Sequence, residues 1–270
     1  MGEMFRRRIA LGHDRHGRIK SELVERINTL KARSGCTSFP TDVNQLAFCA
    51  GIQGVRYVPL AVRGRLVREP GGVVAEIQSD LTPQDRRFVL AHEVTHLILE
   101  RDAIERSETR LDRSRGSGGI GHRAIELLCD YGAAEMLLPT AALRNELRKV
   151  QPSLELVMSI TKEADCSLEL VAHRICERLA GWENGWDDIS FLWWKFTDET
   201  GLLRQSIPIT SELIELVEDA KSLSFSALGA RIVVFGKERI WVGSGPRTFD
   251  GQALCVAPAE VVMLVSPRIS

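Results

Sequence analysis

Ala91-His92-Glu93-Val94-Thr95-His96-Leu97 is the stretch on which the reading of this chain turns. Two histidines four residues apart stand one turn from each other on the same face of a helix. The glutamate directly after the first shares their space. This is the spacing a tetrahedral zinc ion needs, with a carboxylate left over to handle protons. The chain has only 6 histidines in 270 residues, and H-E-x-x-H arises by chance in roughly one in a hundred sequences of this composition. The bland alternative is a pair of core histidines bonded to backbone, so the flanks have to decide.

Upstream, Thr82-Pro83-Gln84-Asp85 offers a capping hydroxyl, a proline at the first helical position and an acid in the first turn. The pattern predicts a helix from Pro83 to about Glu100. Phe88, His92, His96 and Leu99 share one stripe of it, and Leu90, Val94, Leu97 and Ile98 line the back. A helix apolar on both sides is buried, and buried histidines have to be satisfied. A metal satisfies both.

Two histidines hold zinc weakly, so a third protein ligand is expected. Glu126 through Glu135 reads as a second helix ending at Pro139, with Glu126, Asp130 and Ala133 on one face. That face is small enough to approach the first helix closely. Glu126 is the third ligand on this reading. Asp130 accepts from the non-ligating nitrogen of a zinc histidine, His92 by preference, and fixes its tautomer. Glu135 falls on the opposite side and is expected to be exposed. Cys129 reads as a small buried residue, or as a thiol placed to sense oxidation near the metal.

Phe88 to Leu99, followed by Glu126-x-x-Cys129-Asp130-x-x-Ala133-Ala134-x-x-Leu137-Leu138-Pro139, resembles the ImmA/IrrE metallopeptidases. The lead-in is similar too: a helix from Val43 to Ala50, then a hairpin region ending in Val73-Val74-Ala75-Glu76-Ile77. The resemblance covers about Val43 to Pro139 and extends loosely to Leu179. Two positions depart from the family's usual pattern, Asp130 where it has Asn and Gly132 where it has an aromatic ring. Asp130 still serves as an acceptor, and Tyr131 partly replaces the missing ring. The resemblance implies a narrow target, a helix-turn-helix repressor cut to release stress, mobile-element or defence genes. Activation would come through the C-terminal region or a partner, with single-stranded DNA a candidate signal.

The remaining sequence agrees with an intracellular enzyme or regulator. Apolar residues make up 44% and charged residues 26%, ordinary for a globular chain. The formal net charge of −1 gives no global field toward nucleic acid. Met1 to Arg8 is basic but is followed by no apolar run, and no segment reaches membrane-spanning length, so a cytoplasmic location without membrane contact is expected. The cysteines at 36, 49, 129, 166, 176 and 255 form no C-x-x-C and read as reduced thiols.

The fold class expected is α+β. Residues 1–139 form a minimal zincin-like peptidase domain, 140–182 a helical, helix-turn-helix-like subdomain, and 183–270 a small α+β module, GAF-like in position. An amphipathic helix is expected within Ser21 to Ala32, and a loose terminus up to about Arg18. The stretch 101–121 is charged, then rich in Gly and Ser, and reads as a mobile loop beside the cleft: a lid, a docking loop or a plain connector. Around Ala164-Asp165-Cys166 a turn separates two helices. The second offers His173, Arg174 and Arg178 beside Glu169 and Glu177, too little positive charge for convincing DNA binding. Beyond 182 the pattern predicts strands at 191–196, 231–235, 239–242 and 261–265 and a helix at 211–221. Trp182, Trp186, Trp193 and Trp194 at the boundary read as interface core.

The chemistry expected is peptide hydrolysis. Zn2+ held by His92, His96 and Glu126 polarises a carbonyl and lowers the pKa of water, while Glu93 carries the proton from water to the leaving amine. His122, one turn before Glu126, or Tyr131 is a candidate donor to the oxyanion. A strand near Val73 to Ile77 is expected to align substrate backbone by edge pairing. The alternative is a zinc-stabilised regulatory or nucleic-acid-responsive binding protein with little or no proteolytic activity.

Overall fold

A computed structural model describes residues 13–101, 120–177, 189–197, 200–207, 234–242, 245–257 and 260–267. The fold is α+β, in two compact units. One lies within Ile9–Thr140 with Lys162–Ser167, the other within Ala141–Thr161 with Leu168–Ser270.

The first unit opens with helix α1 (His13–Ser34), which begins earlier than the hydrophobic pattern alone suggests. Leu23, Ile27 and Leu30 recur at helical spacing and are buried. Helix α2 (Val43–Ala50) starts at Asp42, whose carboxylate accepts from Gln45 N, and stops at Gly51, at φ 99° in the left-handed region. Three strands follow: β1 (Ile52–Val58), β2 (Gly64–Glu69) and β3 (Gly72–Gln78). Their order is β1-β3-β2, with β1 parallel and β2 antiparallel to β3. Val73 to Ile77 therefore lies on the central strand, paired on both sides. Its backbone groups are committed to neighbours and cannot take a substrate strand, contrary to the expectation from sequence; β2 is an edge.

Helix α3 (Pro83–Arg101) is built as its sequence predicts. The Thr82 hydroxyl accepts from Asp85 N and donates to the Asp85 carboxylate, which also pairs with Arg63 at 3.2 Å. Leu90, Val94, Leu97 and Leu99 are buried. Helix α4 (Ile120–Leu137) lies against α3. The contact is close because position 132 is glycine: a Cβ there would fall 2.5 Å from Thr95 Cγ2. The aromatic ring usual in the similar family has no space here, so Gly132 is the residue that brings the two helices together rather than a lost core ring.

Buried Lys31 joins α1 to the end of α4, its ammonium donating to the Met136 carbonyl at 2.9 Å and to the Thr41 hydroxyl. Burial lowers its pKa, against the opposing pull of Glu135. Glu135 is not exposed, as expected from sequence, but 3% accessible. Its carboxylate accepts from the backbone N and hydroxyl of Thr140, capping helix α5 (Thr140–Leu147). The pattern misled because the cap partner lies beyond Pro139, outside the helix used to assign faces.

Helices α6 (Leu154–Ala164) and α7 (Leu168–Cys176) flank the turn read from the sequence, with Asp165 at φ 48°. In the second unit, Arg174 is buried and paired with Glu177, which removes it from any phosphate-facing surface. Five strands follow: β4 (Ser190–Thr197), β5 (Thr200–Ile207), β6 (Val234–Val242), β7 (Gly245–Ala257) and β8 (Glu260–Pro267), in the antiparallel order β5-β4-β8-β7-β6. The Gln252 amide on β7 donates to the Pro152 carbonyl and accepts from Leu154 N, so β7 caps α6. Strands β5 and β7 have no counterpart in the sequence reading. Gly, Pro and charged residues in β7 carry weak strand propensity, and the pairing with β6 and β8 overrides it. Of the stretch expected as a loop (101–121), Arg101 ends α3 and Ile120 and Gly121 open α4; its remainder, Trp182 and Trp186, and the stretch expected as a helix (211–221) lie outside the described residues.

Candidate metal centre

His92 and His96 project from the same face of α3, their Nε2 atoms 3.1 Å apart. Glu126 comes from α4 to meet both, with one carboxylate oxygen 3.4 Å from His92 Nε2 and the other 3.5 Å from His96 Nε2. Donors held about 2.0–2.1 Å from a tetrahedral ion stand about 3.3–3.4 Å from one another. The three separations, which involve both Glu126 oxygens, are close to that spacing. Asp130, one turn along α4, takes the other nitrogen of His92: Nδ1 to Oδ1 is 2.9 Å. With Nδ1 donating to Asp130, Nε2 is the nitrogen that faces His96 and Glu126, and a cation that displaces its proton meets the lone pair. Two imidazoles and a carboxylate gathered this closely could hold a divalent cation.

The electrostatics agree. Burial works against a charged His92, yet hydrogen bonds to Asp130 and Glu126 outweigh it and hold its pKa up at about 9. Contacts with His92 and His96 keep Glu126 well below the usual carboxylate range. The cluster thus gathers positive charge between its donors, a role a metal fills when bound.

Glu93 behaves differently. It is 6% exposed, and burial pushes its pKa up, with the histidine charges pulling the other way. It is close enough to respond to His92, His96 and Glu126, but no bond ties it into their triangle. Strand β2 covers it: a Cβ on Gly64 would sit 3.0 Å from Glu93 Oε1 and 2.4 Å from Val89 Cγ1. Only glycine allows that approach. In the sequence, a glycine in isolation carries no sign of what it touches.

The two candidate oxyanion donors fare unequally. His122 falls on α4, its side chain outside the described residues. Tyr131 is buried, with Lys20 Nζ 4.4 Å over its ring, a placement that lends no support to a role at substrate. Cys129 is fully buried, and its sulfur lies within 4.8 Å of ring nitrogens of both His92 and His96. It forms no disulfide.

Comparison with known proteins follows the same residues. Residues 61–176 match the IrrE N-terminal-like domain of the Peptidase_M78 family, a span that includes both helices of the cluster. Two curated relatives are the radiation response metalloproteases IrrE of Deinococcus deserti and Deinococcus radiodurans. They are 28% identical over 132 residues and 29% over 131, each alignment taking 48% of this chain. The matched part spans 46% and 39% of those proteins, less than half of either. Among solved structures, a Mycobacterium tuberculosis transcriptional regulator shares the fold at a TM-score of 0.59 and 18% identity, over 92% of this chain and 76% of that one. No described helix is long and apolar enough to cross a membrane. The paired helices lie inside the matched span, so the part of the chain that carries the cluster is similar to the IrrE N-terminal-like metallopeptidase domain.

Proposed function

We propose that this chain is a zinc-dependent endopeptidase in which His92, His96 and Glu126 hold the metal and Glu93 is the proton carrier. The observation that carries the reading is that two imidazole nitrogens 3.1 Å apart meet the two Glu126 oxygens at 3.4 and 3.5 Å, beside a buried carboxylate that takes no part in the cluster. A structural zinc site has no use for such a carboxylate. Two histidines and a carboxylate suit zinc better than harder ions. When bound, zinc supplies a Lewis acid for a peptide carbonyl and raises the acidity of water.

The chain's own residues do the rest. Asp130 fixes the His92 tautomer, so that the ring offers Nε2 to the metal. Glu93, with its pKa raised by burial, accepts a proton from the attacking water and returns it to the leaving amine. The covering strand β2 keeps bulk water from one side of Glu93, which sustains that raised proton affinity. Edge strand β2 also offers free backbone groups beside the site.

For the substrate we infer a specific intracellular protein, a helix-turn-helix repressor by preference, whose cleavage derepresses stress, mobile-element or defence genes. Support comes from the relatives named for radiation response and from the family resemblance. The test is to combine the zinc-loaded protein with the product of an adjacent repressor-like reading frame, with and without single-stranded DNA. A discrete fragment, absent with Glu93→Gln, supports the reading; an intact repressor under every condition counts against this substrate. Cleavage that persists unchanged in Glu93→Gln defeats the mechanism.

A further inference from the structure

Cys129 sits where neither a packing role nor the proposed hydrolysis requires a sulfur. It follows Glu126 by three residues on α4, so both face α3 from the same side of one helical turn. It is 0% exposed, and its Sγ and one ring nitrogen each of His92 and His96 all lie within 4.8 Å of one another. In a tetrahedral zinc site with nitrogen at about 2.0 Å and sulfur at about 2.3 Å, the two donors stand about 3.5 Å apart. The remaining gap is smaller than the distance a sulfur travels between staggered positions about the Cα–Cβ bond. Thiolate is also the donor that separates zinc from magnesium and manganese most sharply.

We propose that Cys129 is a further protein donor to the metal, completing with His92, His96 and Glu126 a closed resting site. The inference rests on the reading of those three residues as the metal-holding set. On coordination the thiol gives its proton to solvent and a sulfur–metal bond forms in the fourth position; nothing is oxidised or reduced. A peptidase has to leave that position open. With sulfur in it the chain is latent, and it becomes competent when the sulfur leaves. A cysteine here thus confines hydrolysis to conditions that displace it, and biases the site toward thiophilic ions.

The experiment is zinc K-edge X-ray absorption on the full chain loaded with one equivalent of zinc, for the native sequence and for Cys129→Ser. The native protein is expected to show one sulfur neighbour at about 2.3 Å alongside nitrogen and oxygen at about 2.0–2.1 Å. Cys129→Ser is expected to keep its zinc and lose the sulfur. Cobalt(II) gives an independent readout on the native chain. Its visible d–d bands report occupancy, and a near-ultraviolet sulfur-to-cobalt charge-transfer band reports the thiolate without any variant. Full occupancy with nitrogen and oxygen neighbours only, and no charge-transfer band, overturns the Cys129 assignment while leaving His92, His96 and Glu126 in place. A sulfur signal that survives in Cys129→Ser overturns it as well, by assigning the sulfur to another cysteine. A native chain that takes up neither zinc nor cobalt overturns both this inference and the reading beneath it.

Discussion

Glu93, Glu126 and Glu135 are three carboxylates of the same chemistry whose surroundings assign them three different tasks. Glu93 is buried without a bond into the donor triangle, Glu126 faces two imidazoles, and Glu135 caps a helix. Replacing Glu93 by Gln keeps shape and metal but removes the proton acceptor, so hydrolysis of a cleavable peptide is expected to fall about 10²–10⁴-fold with zinc content unchanged. Glu135→Ala removes two hydrogen bonds from Thr140 and the charge that opposes the desolvation of Lys31. A loss of about 2–3 kcal/mol in denaturant unfolding is expected, with zinc retained in the folded protein. His173 supplies a pH dependence. Burial depresses its pKa from 6.5 to about 3, so the unfolded chain binds a proton below pH 6.5 that the folded chain refuses. Stability contributed by this group is present above pH 6.5 and falls at about 1.4 kcal/mol per unit as pH drops toward 3. Unfolding curves at pH 7 and pH 5 should show a smaller decline in His173→Gln than in the native chain; equal declines would exclude His173 as the source.

At the scale of elements, the site depends on how closely α3 approaches its two neighbours. Gly132 sets the distance to α4 and Gly64 the distance to β2. A Cβ at 132 meets Thr95 Cγ2 at 2.5 Å and its hydroxyl at 2.7 Å, and both helices are held by their own cores, so neither atom can retreat cheaply. Gly132→Ala is expected to cost about 1–3 kcal/mol and to weaken zinc binding, since Glu126 and Asp130 ride on the displaced helix. Adding Thr95→Ala removes the two nearest atoms and should restore part of both losses. Calorimetric melting with and without zinc measures this, and a Gly132→Ala protein as stable as the native chain would show that α3 and α4 are not in close contact. Helix α3 itself was legible in the sequence from its cap, its proline and its two apolar faces. The glycine contacts were not, because a missing side chain has no periodicity. Strand β7 was equally hidden, formed by pairing against its own residues' preferences.

For the whole molecule, the reading from sequence reached furthest where chemistry and periodicity coincide. His92, His96, Glu126 and Asp130 were singled out from spacing on two helices, and the structure brings their side chains within hydrogen-bonding or ligand-edge distance. It failed where partners are remote along the chain. Val73 to Ile77 is a central strand because β1 and β2 flank it, and Glu135 is buried because Thr140 folds back on it. Five strands in one antiparallel sheet replace the shorter set expected beyond residue 182. The account's central claim is that one divalent ion is held between α3 and α4 by His92, His96 and Glu126, with Glu93 outside its shell. Zinc content by elemental analysis, on folded protein dialysed against buffered zinc, tests it across the native chain, Glu93→Gln and Glu126→Ala. The account predicts one zinc per chain in the native protein and in Glu93→Gln, and a loss of binding affinity of at least tenfold in Glu126→Ala. Full zinc retention by Glu126→Ala, or zinc lost from Glu93→Gln, would contradict it.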